Sequence, residues 1–243
     1  MTVNLKPLFA VDGTADILRK MLPSHCLLCG GRGGNGIDLC AACAAELPRN
    51  ACCCARCALP LATPAASCGR CQRRAPPWDS AWAPFRYAWP LDRLEARFKF
   101  GADLATGRML ALSWCGVIAP AELPQAIVPV PLHRARLRAR GYNQALELAR
   151  PMARGFGLPL RHDVLQRLKA TDAQTELDAA TRRRNVRGAF AVHAGVALPA
   201  HVAILDDVMT TGATLAECAR VLKRAGVARV DVWALARAPS PRG

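Results

Sequence analysis

The stretch Val202-Ala-Ile-Leu-Asp-Asp-Val-Met-Thr-Thr-Gly-Ala-Thr214 decides the fold. Val202–Leu205 is a run of four apolar residues, which predicts a buried strand over His201–Leu205. Two carboxylates, Asp206 and Asp207, stand at its carboxyl end. Thr210-Thr211-Gly212 follows, and Ala213-Thr214 opens a helix predicted to run to Ala225, with Leu215, Cys218, Ala219 and Leu222 at helical spacing. Gly226 closes that helix and Val227–Leu235 is the next strand. A strand, a helix and a second strand in this order imply a parallel sheet with helices on its faces, an α/β fold.

The same residues suggest chemistry. Amides at a helix start lack intrahelical acceptors and bind phosphate. Gly212 allows a tight turn and a close backbone approach. The hydroxyls of Thr210, Thr211 and Thr214 add donors. Carboxylates aimed at a phosphate would repel it, so the acid pair is better suited to accept hydrogen bonds from sugar hydroxyls or to orient magnesium. A plain strand–turn–helix with a capping threonine accounts for Thr211 or Thr214 alone. It does not account for adjacent aspartates on a buried strand end, which are costly without a partner.

Working upstream, Ala126–Val130 predicts another short strand, ended by Pro131. Leu91–Phe100 and Leu104–Cys115 predict helices around Gly101, and Asn143–Phe156 a third, with Pro151 arguing for a kink or an earlier end. Trp78–Trp89 alternates aromatic and small residues, as a strand or hairpin edge does. His133, Arg134, Arg136, Arg138 and Arg140 alternate: extended backbone would place the arginines on one side, a helix would spread them round its surface. Arg182–Arg184 is another basic run, and Tyr142 is a candidate either for stacking on a base or for packing.

The 243 residues carry a formal net charge of +15, mostly arginine, which favours polyanionic partners without choosing among them. Met1–Ala10 shows no secretory pattern, Val11–Leu22 reads as a short amphipathic helix, and no run of about 20 apolar residues exists. The expected setting is cytoplasmic, with reduced cysteines.

Those cysteines form a repeat. Cys26-x2-Cys29, ten residues and Cys40-x2-Cys43 recur 28 residues later as Cys54-x2-Cys57, ten residues and Cys68-x2-Cys71. Two residues between thiolates let both sulfurs face one ion, and four thiolates complete a tetrahedral zinc site. A module of about 50 residues needs such a staple. Two structural zinc ribbons are the expectation, with each half of the repeat holding one ion. Interleaved pairs, Cys52 or Cys53 in place of Cys54, a single zinc or an Fe–S centre satisfy the spacing as well. The expected divisions are an arm at 1–23, the ribbon module at 24–75 and the α/β domain at 76–243.

Residues 202–214 resemble the signature of type I phosphoribosyltransferases, which bind phosphoribosyl pyrophosphate (PRPP). The chain as a whole resembles the ComF family, implicated in DNA uptake during natural competence. Three further stretches carry the likeness: Pro129-Val-Pro-Leu-His-Arg-Ala-Arg-Leu-Arg-Ala-Arg-Gly-Tyr-Asn-Gln-Ala145, Gln174-x2-Leu177 through Arg183 and Asn185, and Gly188-Ala-Phe190. The double zinc ribbon is also typical of that family. The resemblance implies a type I phosphoribosyltransferase-like sheet behind the ribbons. It implies that Asp206 and Asp207 hold ribose hydroxyls, and that Thr210, Thr211, Gly212, Ala213 and Thr214 hold the 5′-phosphate. Pro131, Leu132, His133 and Arg134 would belong to the pyrophosphate loop. Thr171–Arg187 would lie near a closing loop, with Lys169 and Arg187 neutralising charge. The substrate would be PRPP with magnesium, transferring ribose 5-phosphate to an acceptor. Many purine-base members carry an acid where Thr210 stands, which argues against purine salvage here. A non-catalytic PRPP or nucleotide sensor that binds single-stranded DNA or a competence-machinery protein is the alternative, and a scaffold with a relict pocket is a third.

Overall fold

The computed structural model describes residues 24–239 apart from 35, 64, 118 and 171–183. The arm at 1–23, where an amphipathic helix is expected, and most of the Thr171–Arg187 segment lie outside the described residues. The chain forms two compact units, Met1–Glu46 and Leu47–Gly243. The first cysteine quartet therefore belongs to the smaller unit and the second to the larger.

In the smaller unit the described helix is α1 (Ala41–Ala45), capped by the Cys40 thiol, which accepts from the Cys43 amide. The larger unit opens with the second quartet and α2 (Gly69–Arg73). The β1 (Ser80–Trp82) and β2 (Phe85–Arg86) strands follow, then helices α3 (Leu91–Phe100) and α4 (Leu104–Cys115). Next come β3 (Ala126–Pro129), α5 (Arg134–Arg140), α6 (Gln144–Phe156), β4 (Leu165–Arg167) and β5 (Phe190–Val192). The unit ends with β6 (His201–Met209), α7 (Ala213–Arg224) and β7 (Arg229–Arg237).

The main sheet has five strands in the order β1-β7-β6-β3, with β2 also on β7, and every pairing is parallel. β1 and β2 are thus one interrupted edge strand, not the hairpin that alternation in Trp78–Trp89 allowed: Pro84 lacks an amide and breaks the run. Pro129 lies opposite Leu205, and the Val130 amide donates to the Leu205 carbonyl at 2.9 Å. The two chemically distinctive strand ends are therefore neighbours, at the crevice where parallel sheets bind ligands.

α4 and α6 pack on each other; Trp114 and Phe156 join Trp82 and Trp233 of the sheet in one aromatic cluster. α7 packs on β6 and β7 and on β5 of the small antiparallel β4–β5 pair, burying Leu215, Cys218, Ala219 and Leu222. Such burial, at about 1.5–3 kcal/mol for each large apolar side chain, fixes the helices on the sheet.

Three local expectations change. α6 runs through Pro151 to Phe156, capped by Gly157 (φ +64°), because its buried face of Leu148, Ala149 and Met152 outweighs one lost backbone bond. The arginine stretch is helical, not extended: arginine, alanine and leucine are strong helix formers, His133 caps the start and Gly141 (φ +84°) ends it. β6 continues past Leu205 to Met209, so the acid pair lies within the strand rather than after it.

Candidate functional site

Asp206 and Asp207 open onto a cavity of about 460 Å³. Thr210 and Thr214 line it from the loop, Leu132 and Val130 from the end of β3, and Arg136, Arg140 and Arg167 from α5 and β4. Lys99, Glu95 and Tyr87 close another side. The helical form of α5 decides which arginines take part. Residues 136 and 140 are one turn apart and share a side, whereas 134 and 138 do not line the cavity.

The acids are not equivalent. The Lys99 ammonium lies 3.1 Å from Asp207 and 3.3 Å from Glu95. Burial pushes Asp207 up, but Lys99 and the Val208 amide outweigh it and hold the carboxyl below its ordinary value. Burial and the Asp207 charge push Asp206 well above the usual carboxylate range. The two acids are thus pushed in opposite directions, Asp207 towards its ionised form and Asp206 away from it. Glu95 is 1% exposed, and burial first, then Asp207, raise it to about 7. Its other oxygen accepts from the Tyr87 hydroxyl at 3.3 Å.

The loop after Met209 is built from backbone. Gly212 sits at φ +74°, and a Cβ there would meet Trp78 at 3.0 Å, so any other residue would be strained in its backbone and crowded by the indole. Thr211 Oγ1 accepts from the Ala213 amide at 3.3 Å, and the first intrahelical bond of α7 is Ala216 N–H to Gly212 O. Thr214 and Leu215 occupy the helix start, where amides have no intrahelical acceptor.

Thr211, Gly212 and Ala213 line not this cavity but a small recess that shares Asp206, Thr210 and Thr214 with it. The remaining expected residues fall elsewhere. His133 accepts from the Ala135 amide at 3.3 Å as a helix cap; it, Pro131 and Arg134 do not line the cavity, while Leu132 does. Lys169 and Arg187 lie together, the ammonium 3.5 Å from the Arg187 carbonyl, and neither lines it. Tyr142 packs against Phe98 and donates to the Phe98 carbonyl, so it is taken up by packing and not offered to a base. Asn143 donates to Val130 O at 3.0 Å and ties the start of α6 to the end of β3.

The cysteines settle into consecutive quartets. Sulfurs of Cys26, Cys29, Cys40 and Cys43 lie within 4.8 Å of one another, as do those of Cys54, Cys57, Cys68 and Cys71. Cys52 and Cys53 belong to neither group. Tetrahedral Zn–S bonds of about 2.3 Å require sulfurs about 3.8 Å apart. Cys29–Cys40 at 3.8 Å and Cys57–Cys68 at 3.7 Å meet that requirement. Burial raises the Cys26 and Cys68 thiols, but amide donors led by Cys40 and Cys71 respectively outweigh it and bring them to about 6 and about 7. Four sulfurs would hold each zinc completely, leaving it a structural role.

The double zinc ribbon domain family matches residues 17–72. Competence protein F of Haemophilus influenzae is 38% identical over 174 residues, which is 68% of this chain and 76% of that protein. The chain belongs to the competence protein F (ComF) family. Within it, DNA utilization protein YhgH of Escherichia coli K12 is 36% identical over 171 residues, 68% of this chain and 75% of its own. Competence protein ComFC of Streptococcus pneumoniae is 26% identical over 159 residues, 64% and 67% respectively. No helix among the described residues is long and apolar enough to cross a membrane.

Lys99, Glu95, Tyr87 and Arg167 line the cavity and were missed by sequence reasoning. Lys99 and Glu95 share a face of α3 one turn apart, and this was the only available signal. On a helix otherwise rich in charge, such a pair reads as solvated surface.

Proposed function

We propose that this ComF-family protein binds PRPP with its magnesium and transfers ribose 5-phosphate to an acceptor, releasing pyrophosphate. One observation carries the reading: Asp206, Asp207, Thr210 and Thr214 line one cavity whose other walls carry Lys99, Arg136, Arg140 and Arg167, and Asp206 shares a small recess with the loop from Thr210 to Leu215. A cavity of about 460 Å³ is of small-ligand size. Asp206 and Asp207 would take the ribose hydroxyls, with Lys99 keeping Asp207 ionised. The amides and hydroxyls of Thr210–Thr214 would take the 5′-phosphate. Arg136, Arg140 and Arg167 rank ahead of Lys169 and Arg187 for the pyrophosphate because they line the cavity. Pro131, His133 and Arg134 would frame the loop that carries Leu132.

In the transfer, the bond from the anomeric carbon to pyrophosphate breaks and its electron pair leaves with the pyrophosphate oxygen. The acceptor's lone pair forms the new bond, and its proton passes to water or a nearby base. Guanidinium groups already in place favour the charge that develops on the leaving group. The test is magnesium-dependent PRPP binding, followed by pyrophosphate release with a panel of base and amine acceptors. A chain that binds neither PRPP nor any other ribose phosphate at millimolar ligand does not have this function.

The names of the relatives and the net charge of +15 favour a second reading, a PRPP or nucleotide sensor that handles single-stranded DNA or a competence partner. It is distinguished by PRPP binding without turnover, together with salt-dependent DNA binding.

A further inference from the structure

The carbonyls on the back of the 210–214 loop are not left to solvent. Arg237, 2% exposed at the end of β7, donates through Nη1 to Met209 O at 2.9 Å and also to Thr210 O. Its Nε donates to the carbonyl of Cys57, a member of the second cysteine quartet, at 3.0 Å. Arg70, which stands between Cys68 and Cys71 on α2, donates through Nη2 to Thr211 O at 2.9 Å. Trp78 donates its indole N–H to Arg56 O at 2.7 Å and presses its ring against Gly212.

Three successive carbonyls are thus tied to two guanidinium groups. The peptide bonds here are trans and planar, so each N–H points opposite to the carbonyl of its own unit. Holding the carbonyls of Met209, Thr210 and Thr211 on one side aims the amides of Thr210, Thr211 and Gly212 to the other, as an anion-binding nest requires. We infer that the second zinc ribbon is a positioning element for the ligand loop, with Arg70 and Arg237 as the residues that transmit it. This rests on the phosphate-binding reading of the loop, and it assigns the second quartet a task that the first does not share by any of these bonds. A zinc held by Cys54, Cys57, Cys68 and Cys71 would fix the Cys57 carbonyl and α2, and through them the direction of the loop amides.

The test uses the zinc-loaded full chain. Ribose 5-phosphate is titrated calorimetrically, and deuterium uptake is followed at residues 210–215. Arg70→Ala weakens binding about tenfold, the order expected for losing a charge-assisted hydrogen bond that orders the site. It also speeds exchange at those amides, and Arg70→Lys restores part of both. Arg73→Ala, an exposed arginine on the same helix, shifts affinity by less than about twofold. Cys71→Ser, which opens the second quartet, speeds exchange at the same amides. Arg237→Lys acts in the same direction where it folds; Arg70→Ala, at an exposed position, keeps the test decisive where it does not. Exchange at 210–215 equal to wild type in both Arg70→Ala and Cys71→Ser overturns the inference. Should wild type bind no ribose 5-phosphate, the proposed function falls, and the exchange comparison alone still decides whether Arg70 holds the loop.

Discussion

The two sides of the cavity are built differently. The loop from Thr210 to Thr214 is contiguous chain, and what it presents is main chain held in shape by Gly212, a helix start and the guanidinium groups behind it. The opposite side is a convergence of side chains from separate elements: Glu95 and Lys99 from α3, Arg136 and Arg140 from α5, and Arg167 from β4. A backbone site depends on geometry and is indifferent to most side-chain changes. A side-chain site depends on charge balance, and each member can be removed singly. Mutations should separate the two.

The largest effect is expected at the point where the halves meet. Asp207→Asn removes the ionised acceptor and leaves Lys99 with only Glu95; PRPP affinity by calorimetry should fall about a hundredfold, as for a lost hydrogen bond to a charged group. The backbone half is broken by Gly212→Ala, because the new methyl meets Trp78 and the residue must hold φ +74°. Strain of about 1–3 kcal/mol should weaken binding about tenfold or more and lower the melting temperature, and unchanged affinity would show that the loop amides are not the phosphate site.

The side-chain half is sharpened by the double change Arg136→Ala with Arg140→Ala. Pyrophosphate affinity should drop about tenfold, and Arg138→Ala, on the other side of α5, should cost less than about twofold in the same assay. Equal losses would mean that α5 acts only through net charge.

The smallest effect is in pH dependence. Glu95 has a folded value of about 7, raised from the ordinary 4.5. The stability this gives is fully present below the unfolded value and is lost as pH rises through about 7. Asp207, held below its ordinary 3.8, works in the opposite sense, with stability present above that value and lost as pH falls through its folded one. Melting temperatures measured from pH 5 to 8 should therefore fall less in Glu95→Gln than in wild type. Parallel curves would show that Glu95 does not titrate in this window.

The contrast between the halves also explains what could be seen in advance. Residues 202–214 were legible because strand, acid pair, glycine and helix start are consecutive, and each leaves a local mark. Helices α3 and α4 were legible with their bounds because apolar spacing and Gly101 are local too. The turn of α5 was not, since alternating arginine and alanine suits either an extended chain or a helix, and only the caps at His133 and Gly141 decide between them. Lys99 was passed over because a lysine on a charged helix gives no sign of the carboxylate it will meet.

The cysteine spacing by itself determined that four thiolates could converge twice, and the 202–214 run determined a parallel strand that turns at a glycine into a helix start. These follow from bond lengths and backbone periodicity, which act over a few residues. Only the tertiary structure decided that Asp207 meets Lys99, that Arg136 and Arg140 rather than Arg134 and Arg138 line the cavity, and that the second quartet reaches the loop through Arg70 and Arg237. Those pairings join residues up to 180 positions apart, and their energies depend on burial and distance that no local pattern encodes.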